Sequence, residues 1–213
     1  MDGQQARRRA GHRREEILQA ALRVFAERGY RGASLAAVAE RVGLTQQGVL
    51  HYFPSKERLL VEVLRLRDQL DRVRFAGGEL GDAPPSRRLA ELVSYNATRP
   101  GIVQSFTVLA AESVTEQHPA RPFFTQRYAS LRRELAASLD GELAGRLPPG
   151  LSSPAAAALL IAVMDGLQTQ WLLAPEEVDM PALFGSFLAL LRAGDPGRTA
   201  GQAAEKPPST NSS

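Results

Sequence analysis

The sequence predicts an all-helical protein: an N-terminal three-helix unit with a helix-turn-helix, followed by a larger helical domain. Three observations lead to the helical class. Apolar residues recur at i, i+3, i+4 and i+7 in nearly every periodic segment, strand signals are nearly absent, and a proline or glycine stands between successive segments. A chain of 213 residues exceeds one median domain, so two unequal parts are expected.

Over residues 14–28, Leu18, Ala21, Leu22 and Phe25 form one apolar stripe, and "RGYRG" breaks that first helix. Ser34 is a suitable N-cap for "LAAVAERV", whose Leu35, Val38, Ala39 and Val42 line one face before Gly43 permits a left-handed turn. Thr45 caps the next short helix, "QQGVLHYF", and Pro54 ends it by pushing the preceding residue out of the helical region. Ser55 opens a fourth helix, with Leu59, Leu60, Val63, Leu66 and Leu70 near heptad spacing, expected to reach about Phe75. A Gly/Pro-rich loop follows over 76–86, then candidate helices near 86–97, 101–116, 120–140, 154–174 and 180–193. The expected organisation is a basic flexible arm over 1–13, a helix-turn-helix domain over 14–60, a larger helical domain over 61–193, and a disordered polar tail over 194–213.

Hydrophobic residues at 44 % and charged residues at 23 % describe a soluble globular composition with enough apolar side chains for a sizeable core. The longest apolar stretch, Ala155 to Met164, is halted by Asp165, so no membrane partner is expected. The first sixteen residues carry charge without the apolar segment of a secretory signal. With no cysteine, disulfides, thiolate metal sites and cysteine nucleophiles are excluded, and a cytoplasmic address fits best. The net charge of +3 is unevenly spread: residues 1–60 hold 11 Lys+Arg against 6 Asp+Glu. Such a basic N-terminal part suits a phosphate-bearing partner.

Two short helices joined at Gly43 and Leu44 form a helix-turn-helix, with Ala36 and Ala37 small enough for close packing. The second helix is the expected reader. About nine residues at a rise of roughly 1.5 Å span about 13 Å, sufficient for a few base-pair steps. Gln46 and Gln47 lie in its first turn, where a recognition helix offers side chains to base edges and an amide can pair with adenine N6 and N7. Gly48 allows close approach of the backbone to DNA, Val49 and Phe53 can turn inward, and His51 and Tyr52 can reach phosphates or bases. Ser34 and Lys56 sit at helix starts, where free N–H groups and the positive end of the dipole favour phosphate. Thr45 joins the DNA-binding set as cap and flank of the reader.

Residues 14–60 resemble the TetR (AcrR) family of transcriptional regulators. The resemblance rests on Ser34 opening helix two, the turn Val42–Thr45, the aromatic pair Tyr52-Phe53, and Lys56, Glu57 and Leu59 after it. Members usually place a small residue where this chain has Gln47, and a phosphate-contacting tyrosine where it has Leu50. The resemblance implies a larger C-terminal domain that binds a small-molecule effector and forms a homodimer through its last two helices, and a protein that binds a double-stranded DNA operator, most often as a repressor. The segments "SPAAAALLIAVMDGLQTQWLLA" and "PALFGSFLALLRA" fit that interface: the first is apolar nearly all round and rich in small alanines, while the second lines up Leu183, Phe184, Phe187, Leu188 and Leu191. For the effector cavity, Phe106, Leu109, Phe124, Tyr128, Met164, Gln168 and Trp171 are the candidates, with Tyr128 and Gln168 as polar groups in an otherwise apolar wall.

Catalysis finds little support. His12, His51 and His118 are scattered, no His pair has metal spacing, and neither a phosphate-binding glycine loop nor a nucleophile elbow occurs. No enzyme activity, cofactor or metal is expected. The rival expectation is an all-helical small-molecule carrier or enzyme with a vestigial DNA-binding fold; intact Gln46, Gln47 and Lys56 weigh against it.

Overall fold

A computed structural model describes residues 2–77, 83–143 and 146–192. Residues 78–82 of the Gly/Pro-rich loop and the expected tail over 194–213 lie outside the described residues. The described residues form nine helices and no strand: α1 (Asp2–Gly32), α2 (Leu35–Arg41), α3 (Gln46–Tyr52), α4 (Lys56–Gly77), α5 (Pro85–Ala97), α6 (Pro100–Glu112), α7 (Arg121–Glu142), α8 (Ser153–Leu173) and α9 (Met180–Arg192).

One expectation at the N-terminus is corrected, and the break expected at "RGYRG" appears as a bend. The stretch expected as an arm continues α1 as helix from Asp2; it is rich in Ala, Arg and Gln, all good helix formers, and contains no proline. At its other end α1 bends at Gly29, which adopts φ 63, ψ −179, and the chain turns on through Tyr30 to Gly32. The expected helix over 101–116 stops at Glu112, because Ser113 and Thr115 turn their hydroxyls back onto the carbonyls of Ala110 and Glu112.

One core joins the small domain to the large one. Ile17, Val24 and Phe25 of α1, Val38 of α2, Val49 of α3, Phe53, and Leu59, Leu60 and Leu64 of α4 are buried together with Leu109 of α6 and Phe124 of α7. Helix α4 runs unbroken across position 60, so no linker separates the two parts. The second core gathers Leu89 and Val93 of α5, Leu135 and Leu139 of α7, Ala156, Ala157, Leu160 and Ile161 of α8, and Met180, Phe184, Leu188 and Leu191 of α9. Tyr128 touches both cores. By length and composition α8 could cross a membrane. It packs instead on α7 and α9, and its mid-helix Asp165 accepts a hydrogen bond from Tyr128.

Candidate nucleic-acid interface and interior cavity

The turn between α2 and α3 is fixed by backbone geometry. Leu44 N–H bonds Ala39 O at 2.9 Å and Gly43 N–H bonds Glu40 O at 3.3 Å. These paired bonds, with Gly43 at φ 63, make a Schellman ending that only a left-handed residue completes. Ser34 Oγ accepts from Ala37 N and Thr45 Oγ1 accepts from Gly48 N, both at 3.1 Å, so each hydroxyl caps its helix as expected. Val49 and Phe53 are fully buried and hold α3 against α1, while Gln46, Gln47 and His51 project outward, exposed. Tyr52 is half-buried against the core and meets His51 edge-on at 5.5 Å. Gly48 is half-buried, and a Cβ there would meet Leu44 and Thr45 at ordinary contact distances of 3.5 Å. The fold by itself therefore does not require glycine at 48.

Lys56 departs from its expected place as a free clamp. Its Nζ donates to Tyr30 O at 2.9 Å and Ala33 O at 3.0 Å, and it stands 4.3 Å from the Tyr30 ring centroid. The amine thereby satisfies carbonyls at the end of α1, a task no local pattern reveals. The Tyr30 hydroxyl donates to Glu57 Oε1 at 2.8 Å; burial and that acceptor push its pKa up. Behind Tyr30, the Glu112 carboxylate accepts the Tyr30 backbone N–H at 2.7 Å, and a Cβ at Gly29 would run into the same carboxylate. His118 packs edge-on to Tyr30 at 5.0 Å, with burial lowering its pKa against the opposing pull of Glu112.

Between the cores lies a cavity of about 430 Å³, enclosed by α4, α5, α6, α7 and α8. Phe106, Phe124, Tyr128, Met164 and Gln168 line it together. Leu109 and Trp171 do not. Leu109 faces the opposite way, fully buried among the α1 and α4 side chains, and Trp171 lies half-buried against the second core. Helical periodicity places a residue on a face but does not say which neighbour that face meets.

The cavity also has a polar wall that sequence reasoning missed. Arg67, Asp68, Asp71 and Arg72 come from α4, Asn96 from α5, Arg127 from α7, and Asp165 from α8. Asp68 receives Arg72 Nε and Arg127 Nε, each at 2.9 Å, and Arg72 also reaches Glu134 at 2.8 Å. Tyr128 Oη donates to Asp165 Oδ2 at 2.6 Å. Burial raises the Asp165 pKa, against the Tyr128 hydrogen bond and the Arg127 charge. A signal was available: Asp165 interrupts an apolar run, and Arg67 follows the buried Leu60 and Leu64 on one face of α4.

Head and cavity define a helix-turn-helix regulator of transcription, and the comparisons specify which. Residues 17–63 match the family of bacterial regulatory proteins, tetR family, and residues 86–193 match the BetI-type transcriptional repressor C-terminal domain. The chain belongs to the TetR family of DNA-binding transcriptional regulators. It is 32 % identical over 173 residues to the HTH-type transcriptional regulator BetI of Burkholderia mallei, covering 80 % of this chain and 87 % of that one. Among solved structures, a TetR-family regulator from Rhodococcus sp. superposes with a TM-score of 0.67 at 25 % identity, over 85 % of this chain and 99 % of the other. A regulator from Saccharomonospora viridis in complex with choline superposes with a TM-score of 0.71 at 24 % identity, over 84 % and 96 %; at that identity the likeness is one of fold.

Proposed function

We propose that the protein is a homodimeric repressor that leaves its operator when a small molecule fills the cavity between its cores. The observation that carries this reading is the continuity of α4, whose first turn abuts the reading head and whose fourth and fifth turns wall the cavity. A ligand that favours a different placement of α4 would shift the population toward a state whose two heads no longer match adjacent major grooves.

In this reading Gln46 and Gln47 contact base edges, Gly48, His51 and Tyr52 flank them, and Ser34 and Thr45 present the helix N-termini to phosphate. Lys56 contributes through its remaining amine proton and through the position of α4. The partner is a second copy. Leu159 and Leu173 on α8 and Leu183 and Leu190 on α9 are 47, 82, 46 and 68 % exposed, a set of large apolar side chains that a symmetric four-helix contact would cover. The alanines Ala155, Ala158 and Ala162 lie exposed along α8 and allow close helix approach.

The test is selection of bound fragments from the source genome, followed by fluorescence anisotropy on the enriched site at several salt concentrations. Specific binding should exceed binding to random DNA by about 10³-fold or more and weaken steeply with salt. Failure to bind any DNA at low salt would overturn the reading and leave a helical small-molecule carrier.

A further inference from the structure

We propose that the cavity takes an amphipathic carboxylate, its acyl or aryl body against Phe106, Phe124, Leu131, Leu135 and Ile161 and its anionic end at Arg67. The proposal rests on the cavity being the effector site and names the chemistry of that effector. Its volume, about 430 Å³, falls within the range of small-molecule sites, roughly 300–1,000 Å³, and most of its wall is apolar. The body of the ligand is thus set by the wall, and its polar end by whichever buried donor the protein leaves without an acceptor.

That donor is the Nε of Arg67. The residue is 5 % exposed, its Nη2 donates to Asn96 Oδ1 at 3.0 Å, its Nη1 is ion-paired with the Asp71 carboxylate, and its buried Nε has no partner among the described residues. Burial, then the charges of Arg99 and Arg127, bring its pKa down to about 10. An incoming anion supplies the missing acceptor and offsets the repulsion between the guanidinium groups. The acids of the wall are already committed: Asp68 to Arg72 and Arg127, Asp71 to Arg67, Glu134 to Arg72, and Asp165 to the Tyr128 hydroxyl with Arg127 nearby.

A quaternary ammonium meets the opposite situation. It needs open aromatic faces, whereas Arg67 and Arg127 both lie over the Phe106 ring, at 5.6 and 5.2 Å from its centroid. A cationic head would also find the carboxylates of the wall already held by arginines or by the Tyr128 hydroxyl.

Isothermal titration of the full-length protein tests this, with decanoate and phenylbutyrate compared against methyl decanoate, decyltrimethylammonium and choline. At least one acid should bind saturably and about tenfold or more tighter than the ester and both cations, as for one charge-assisted contact. Arg67→Gln should reduce that preference to near unity, whereas Asp165→Asn should preserve it. Because Arg67 is buried, the comparison on the unaltered protein stands by itself should the variant fail to fold. Tighter binding of either cation, or no binding of either acid, overturns the proposal. Anisotropy with the selected DNA site, run on the same preparation, separates the two readings. DNA that is bound, and released only by a cation, leaves the repressor intact and rejects the carboxylate; an acid that binds without changing DNA affinity rejects the cavity as effector site.

Discussion

The Glu112 carboxylate, at the end of α6, accepts the backbone N–H of Tyr30, at the end of α1, across 2.7 Å. Helix α6 lines the cavity through Phe106, Thr107, Ala110 and Ala111, while Tyr30 O holds the Lys56 amine at the start of α4. This hydrogen bond therefore links the cavity wall to the base of the reading head, beside the packing of α6 on α1. Glu112→Ala should lower stability by about 1–3 kcal/mol, the scale of a lost charge-assisted bond, and weaken the release of DNA by a ligand more than DNA binding itself. Glu112→Gln keeps a carbonyl acceptor and should restore most of the coupling. Thermal denaturation and anisotropy with and without ligand check both, and equal ligand response in all three proteins would remove Glu112 from the route.

Base reading predicts a selective loss. Gln47 is exposed and makes no packing contact that the core depends on. Gln47→Ala should cost about 1–3 kcal/mol on the cognate site and little on random DNA. Gly48→Ala should keep the melting temperature, since its added Cβ meets only ordinary contacts, yet reduce DNA affinity if the backbone approaches the duplex there. Competition titrations with both DNAs distinguish these effects; parallel loss on cognate and random DNA would count against base contact by Gln47.

The self-interface must be probed at residues that face outward. Phe184, Leu188 and Leu191 are buried inside the protomer, whereas Leu183 and Leu190 project from the other side of α9. Leu190→Arg should yield folded monomers by light scattering, with weakened operator binding. Leu188→Ala should instead cost about 2–5 kcal/mol of fold stability, as buried leucines do, and leave any dimer in place. A Leu190→Arg protein that remains dimeric would move the interface off this face.

Acid sensitivity should trace in part to His118. Its pKa in the folded protein lies below the ordinary value of 6.5, chiefly through burial, with Glu112 pulling up and Arg31 pushing further down. The unfolded chain then binds the proton more readily, so this contribution to stability is intact above pH 6.5 and is lost as pH falls through the depressed folded value. His118→Gln should flatten the decline of the melting temperature just below that pH relative to the unaltered protein. An identical slope in both would assign the acid response to the carboxylates.

The sequence by itself determined the helical class, the caps and the turn of the head, because each depends on neighbours within five residues. Ser34 and Thr45 bond to N–H groups three positions ahead, and Gly43 closes a bond set that begins at Ala39. The outward Gln46 and Gln47 and the inward Val49 and Phe53 follow from the same local period. Tertiary structure alone decided what each face meets. Lys56 turns to carbonyls 23 and 26 residues away. Leu109 enters the core beside α1, while Phe106, on another face of the same helix, enters the cavity. Arg67 lies on the line of buried leucines, yet its place beside Asn96, Asp71 and the Phe106 ring comes from three helices meeting in space. Hydrogen bonds within a turn are specified by spacing along the chain, whereas burial of a charge is specified by the helices that close over it, and no short window of sequence contains both.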